Sequence, residues 1–153
     1  MQKSDSEIVL KKAVAEDVDT YLSIEKKVGS RIYFPMDSKK DFFEAMEKRR
    51  IYFIENQGEI VGHISYESRK DGSIYFNGFA ILPEHQGRGF GRKAVDLIRG
   101  EVERAPRIDL VTHPDNFKAI ELYQSLDFKI IERKENYFGD GEPRVIMVRE
   151  SRP

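Results

Sequence analysis

The sequence predicts an α+β fold, a mostly antiparallel sheet of about seven strands with four helices on its faces. Three observations predict it. Short β-rich runs alternate with turn residues through the middle of the chain. Four other stretches carry apolar residues at helical spacing. No linker, charge block or repeat divides the 153 residues, so one domain over 1–153 is expected.

Each element has a local reason. Ile8-Val9-Leu10 opens as a strand. From Asp17, a plausible N-cap, Val18, Tyr21, Leu22, Ile24 and Val28 recur near helical spacing. A loop with Gly29 and Pro35 follows, and Ser38, three residues before Asp41, starts a second helix striped by Phe42, Ala45 and Met46. Residues 51–55 and 60–67 make a hairpin across Asn56-Gln57-Gly58-Glu59, and Lys70-Asp71-Gly72-Ser73 turns the chain into a third antiparallel strand at 74–82. After a glycine-rich stretch, Phe90, Ala94, Val95, Leu97, Ile98 and Val102 mark one face of a long helix that ends near Pro106. Residues 108–112 form a short strand. Asn116 opens a helix with Ala119, Ile120, Leu122, Tyr123 and Leu126 inward. A last hairpin pairs 129–137 with 144–149 across Gly139-Asp140-Gly141. The order is β-α-α-β-β-β-α-β-α-β-β.

Composition excludes several functions. Lys+Arg number 26 against 27 Asp+Glu, a net charge of −1, which disfavours a surface for wrapping nucleic acid. Lys48-Arg49-Arg50 reads as a solvated helix end, so no nucleic-acid partner is expected. Cysteine is absent, which removes disulfides, thiolate zinc sites and a Cys nucleophile. The start, Met1 to Glu7, has no apolar run behind it, and stretches such as Phe79-Ala80-Ile81-Leu82 are far too short to span a bilayer. A cytoplasmic protein without a membrane partner is expected. His63, His85 and His113 are far apart in sequence and read as surface or strand residues, with no metal expected.

The most informative stretch is Gly78-Phe79-Ala80-Ile81-Leu82-Pro83-Glu84-His85-Gln86-Gly87-Arg88-Gly89-Phe90-Gly91. It runs strand, short loop, alternating glycines, helix. Glycines at a helix mouth let N–H groups converge, and with the helix dipole they suit a phosphate or pyrophosphate. Arg88, Arg92 and Lys93 add positive charge. A Gly-x-Gly alone is also a plain turn. The spacing is neither a dinucleotide fingerprint nor a Walker A loop, since Gly91 is followed by Arg92-Lys93.

Gln86-x-x-Gly89-x-Gly91 resembles the Q/R-x-x-G-x-G/A motif of the GCN5-related N-acetyltransferase (GNAT) superfamily. The exit Leu82-Pro83-Glu84 and the segment Asn116-Phe117-Lys118-Ala119 through Leu122-Tyr123 to Asp127-Phe128 resemble that family too, with Asp127 where a helix C-cap glycine is usual. Asp tolerates the left-handed conformation better than most residues, so a small stability cost is expected there. The resemblance covers roughly residues 8–149. It implies a sheet splayed between the fourth and fifth strands, with acetyl-CoA as co-substrate and no metal. By this resemblance Phe79, Ala80, Ile81, Gln86, Gly87, Arg88, Gly89, Phe90, Gly91, Arg92, Asn116, Ala119 and Tyr123 bind the cofactor. The Phe79 N–H would polarise the thioester carbonyl, and Tyr123 would protonate the departing thiolate. Many relatives are dimers, and the resemblance admits a homodimer.

The general base is not evident: Val111 stands where relatives often carry Glu or His. A water relay, Tyr75 or a residue of the first two helices is left to serve. Without a strong base, acceptors of low amine pKa are favoured, because an α-amino group near 8 is easier to deprotonate than a lysine near 10.4. Tyr33 and Phe34, between the first helices, are expected at the acceptor. Asn136-Tyr137-Phe138-Gly139-Asp140-Gly141-Glu142 resembles the hairpin tip of N-terminal protein acetyltransferases, including the ribosomal-protein alanine type, whose tip tyrosine touches the peptide. The expected reaction moves acetyl from acetyl-CoA to a peptide N-terminus or a small-molecule amine, with a slight lean to the peptide. A non-catalytic acyl-CoA-binding or sensing domain is the alternative, and a nucleotide-binding module a third.

Overall fold

A computed structural model describes residues 7–151. The strands are β1 (Val9–Lys12), β2 (Arg50–Asn56), β3 (Glu59–Ser68), β4 (Ile74–Ile81), β5 (Arg107–Thr112), β6 (Lys129–Lys134) and β7 (Arg144–Glu150). The helices are α1 (Val18–Val28), α2 (Lys39–Lys48), α3 (Phe90–Val102) and α4 (Phe117–Ser125), with short 3₁₀ turns at Ala15–Asp17 and Pro83–His85. The element order is the one predicted. One sheet of 7 strands runs β1-β2-β3-β4-β5-β7-β6. All its pairings are antiparallel except β4 with β5. Residues 1–6, which carry most of the chain start read above, lie outside the described residues.

Alternation along the strands builds a core on each face. Ile51 and Phe53 of β2 join Val18, Tyr21 and Ile24 of α1 and Phe42 and Ala45 of α2. Ile54, Ile64, Ile74 and Phe76 join Phe90, Ala94, Val95, Ile98 and Val102 of α3 and Tyr123 near the end of α4. Leu97 is not part of that face: it is exposed, because a 100° step per residue carries it off the stripe that Ala94, Val95 and Ile98 complete. Asp17 is also corrected. Its carboxylate accepts the Val14 N–H at 2.8 Å and closes the 3₁₀ turn ahead of α1 rather than capping α1 itself. Ser38 does cap α2, accepting the Asp41 N–H at 3.1 Å. Asp127 follows α4 at φ +72°, the left-handed position expected for it.

The sheet opens in its middle. Between β3 and β4, Ser65 pairs Gly78 while Glu67 pairs Tyr75, so Phe76 and Asn77 together oppose Tyr66. Such a bulge bends its strand. Pairing of β4 with β5 stops at the same place, after Ile74–Ile108, Tyr75–Asp109 and Phe76–Leu110. Beyond Phe76 the two strands diverge, and a cleft of about 1050 Å³ lies between them and the helix ends. The expected splay is present.

The last hairpin differs from its expected bounds. β6 ends at Lys134, and Tyr137 lies in a wide tip closed by the Asn136 side chain, which accepts the Gly141 N–H at 2.7 Å.

Candidate active site

The direction of the β4 backbone sets the site. Leu82 donates its N–H to the Val61 carbonyl at 2.8 Å, and main-chain groups alternate direction along a strand. The N–H and C=O groups of Phe79 and Ile81 therefore point away from β3, toward the gap. The Gln86 amide donates to the Ile81 carbonyl at 2.9 Å and pins the 86–91 loop to the strand end. The Phe79 N–H is left on a free edge.

The helix that follows supplies more donors. Gly89 adopts φ +84° as the N-cap of α3, with no side-chain cap. Lys93 bonds back to the Gly89 carbonyl at 3.2 Å, whereas the N–H groups of Phe90 and Gly91 have no helical turn ahead to accept them. Gln86, Gly87, Gly89, Phe90 and Gly91 all line the cleft, so this end is built for an anion. A Cβ on Gly91 would stand 2.9 Å from Phe79 Cζ, so only glycine lets the helix start rest on the strand.

Tyr123 closes the middle of the cleft from α4. Its ring lies edge-on to Phe76 at 6.3 Å and Phe128 at 5.9 Å, and burial pushes its hydroxyl well above the usual phenol range. Asn116 and Ala119 line the cleft beside it, Asn116 capping α4 through the Ala119 N–H at 3.4 Å. Ala80 and Ile81 complete the strand wall. Two expected cations are elsewhere. The Arg88 guanidinium sits 3.2 Å from His85 Nδ1 and over the Phe90 ring, and Arg92 donates to Ser125 at 3.1 Å. Neither side chain lines the cleft.

At the far end, Tyr33 and Phe34 line the cleft as expected. Phe34 stacks on Phe138, ring centroids 5.3 Å apart and 13° from parallel. Arg31 pairs with Asp115 and Glu142 at 3.0 Å each, and His113 Nε2 donates to Glu142 at 2.8 Å. The loop after α1 and the β6–β7 tip thus meet over the cleft. Phe138, not Tyr137, faces it; the Tyr137 ring leans edge-on against Phe138 at 4.8 Å. Tyr75 also lines the cleft, but burial pushes its hydroxyl up to about 12, and the Arg69 guanidinium lies over its ring at 5.2 Å.

The histidines are not surface residues. His63 is on a strand, as allowed for, but all three are buried, each beside a carboxylate that compensates for lost water. His85 meets Glu59 at 3.2 Å and His113 meets Glu142. The basic triplet does end α2, with Lys48 in its last turn and exposed, and Lys48 and Arg49 also line the cleft. Among the described residues no cluster of three or more His, Asp or Glu could hold a metal, and no helix is long and apolar enough to cross a membrane.

The sequence reading missed Glu25. It is 4% exposed, lines the cleft, and accepts hydrogen bonds from Tyr33 Oη at 2.6 Å, His63 Nε2 at 2.9 Å and the Met36 N–H at 3.0 Å. Burial pulls its pKa up, yet the hydrogen bond and charge interaction with His63, with the bonds from Tyr33 and Met36, outweigh this and hold the carboxyl below its ordinary range. One signal was available: Glu25 falls four residues after Tyr21, a carboxylate inside the apolar stripe of α1.

These features together make one cleft, with main-chain donors at the start of α3 and a strand edge along its wall. The model of the acetyltransferase (GNAT) family matches residues 16–128, and the chain belongs to that family. A probable spermine N(1)-acetyltransferase from Bacillus subtilis subsp. natto and a spermine/spermidine N(1)-acetyltransferase from Bacillus subtilis strain 168 are each 30% identical over 83 residues. That match covers 48% of this chain and 55% of theirs, so the chain spans about half the length of these curated relatives. The ribosomal-protein-S18-alanine N-acetyltransferase from Escherichia coli superposes with a TM-score of 0.81 over 94% of both chains at 22% identity, a likeness of fold.

Proposed function

We propose that the protein transfers the acetyl group of acetyl-CoA directly to a primary amine. The observation that carries this reading is the convergence, in one cleft, of the α3 amides, the free Phe79 N–H and the Tyr123 hydroxyl. The amides of residues 86–91 hold the pyrophosphate, and the β4 edge receives the pantetheine amides. The Phe79 N–H donates to the thioester oxygen as negative charge develops there, a contribution of about 10²–10³ in rate. The amine nitrogen attacks the acetyl carbon; the C–N bond forms, the C–S bond breaks, and Tyr123 gives its proton to the sulfur. The phenolate then recovers a proton from the new amide nitrogen.

The acceptor end favours a cationic amine. Glu25, Asp37, Asp41, Glu44 and Glu67 line the cleft, a slight acidic excess over Lys48, Arg49, Lys118 and Arg144. This balance, and the names of the two Bacillus relatives, support a polyamine-type acceptor over a peptide N-terminus. Tyr137, the feature that favoured a peptide, lies off the cleft.

Release of free CoA from acetyl-CoA with spermidine, spermine and an alanyl tripeptide tests the reading. Turnover is expected with at least one, fastest with a polyamine. Peptide preference would replace the acceptor, and acetyl-CoA binding without turnover of any amine would mark a non-catalytic binder. In Tyr123→Phe, kcat is expected to fall about 10²-fold with acetyl-CoA affinity within about twofold.

A further inference from the structure

Resting on the acetyl-transfer reading, we propose that Phe76 and Leu110 set the length of the acyl chain and hold it at acetyl. A small cavity behind them is the space a longer chain would need.

The pair stands at the closed end of the splay. Phe76–Leu110 is the last register match of β4 with β5. Matched residues of a sheet point to one face, and both side chains are buried in the core that α3 covers, 8% and 2% exposed. On a regular strand Phe79, three residues on, would point to the opposite face from Phe76. The bulge opposite Tyr66 inserts the extra residue that brings the two rings to the same side, edge-on at 6.1 Å. Phe76, Leu110 and Tyr123 together wall this end of the cleft.

A second cavity, of about 20 Å³, lies behind that wall. Phe76, Leu110 and Tyr123 line it as well as the cleft, so the two spaces share one partition. Val95, Ile98 and Ile108 line it too, and Arg99 and Arg149 contribute to its lining. It has room for about one methyl-sized group.

The chemistry of the thioester aims the acyl tail at this partition. Its carbonyl carbon is planar. With the oxygen on the Phe79 N–H and the sulfur back toward the start of α3, the third substituent points away from both, across the gap to β5 and down to the closed end. The amine attacks perpendicular to that plane and leaves this direction to the tail. An acetyl methyl ends against Leu110 and Phe76. Each further methylene must displace two buried side chains or enter the cavity behind them, and a methylene that a packed apolar wall does not admit costs about 10–200-fold in kcat/KM.

The test is the ratio of kcat/KM for butyryl-CoA to that for acetyl-CoA, with the amine that turns over fastest in the panel above. It is measured in wild type, Leu110→Ala, Phe76→Leu and the double variant Leu110→Ala with Val95→Leu. The two dissociation constants are read alongside by calorimetric titration without amine. A ratio is not moved by partial loss of active protein, so it reports on the wall itself. Wild type is expected to use butyryl-CoA about 10²-fold less well than acetyl-CoA. Leu110→Ala is expected to raise the ratio at least about tenfold, in binding as in turnover. Phe76→Leu is the gentler change and carries the test if Leu110→Ala does not fold; a rise of about threefold to tenfold is expected. Val95→Leu refills the cavity from α3 and is expected to return the double variant to near the wild-type ratio. Wild type that uses the two thioesters within about threefold of each other, or a ratio unmoved in the folded variants, overturns the assignment while leaving acetyl transfer standing. A gain that survives Val95→Leu overturns the cavity's part in it. Absence of turnover with either thioester would instead overturn the reading beneath it.

Discussion

At Gly91 the nearest obstacle to a side chain is the Phe79 ring, 2.9 Å from where a Cβ would stand. The half-buried ring packs against the core that α3 covers, so a Cβ here must displace it. Gly91→Ala is expected to cost about 1–3 kcal/mol by overpacking and to weaken acetyl-CoA binding about tenfold, read by calorimetric titration. Glu25 is the other residue with a measurable signature. Its carboxyl is held below the ordinary 4.5, so the unfolded chain takes up the proton first. The stabilisation is complete above that value and is lost as pH falls through the lower folded value. Urea midpoints of wild type and Glu25→Gln are expected to differ by a constant amount above about pH 5 and to converge below it.

Among the elements, the loop after α1 and the β6–β7 tip work as one bridge over the acceptor end. The Arg31 pairs are solvent-screened and contribute little. The Phe34–Phe138 stack adds about 0.5–1.5 kcal/mol. Phe34→Ala is therefore expected to raise KM for the amine about threefold to tenfold with KM for acetyl-CoA unchanged, a split that steady-state kinetics resolves. This bridge was only half legible in sequence. Tyr33, Phe34 and the Gly-Asp-Gly tip were visible as loop aromatics and turn chemistry. Which tip ring faces inward depends on the Asn136–Gly141 closure and on Phe34 across the gap, a long-range pairing that no local pattern encodes.

For the molecule as a whole, strand alternation and helical stripes carried the element order, because each short element is amphipathic in its own period. The splay was legible through family resemblance; its local cause, two β4 residues opposing one on β3, is a pairing property and left no mark in composition. The buried histidines were missed for the same reason, since their carboxylate partners lie 26 to 38 residues away. On the proposed function these scales meet at one place: the opened sheet presents the Phe79 amide and the amides at the start of α3 to a single anionic thioester ligand. Backbone ¹⁵N–¹H spectra of the protein titrated with acetyl-CoA test this most directly. The Phe79, Gly87, Gly89, Phe90 and Gly91 cross-peaks are expected to move together and farthest of all. Saturating acetyl-CoA that leaves those amides in place, or moves others instead, would contradict it.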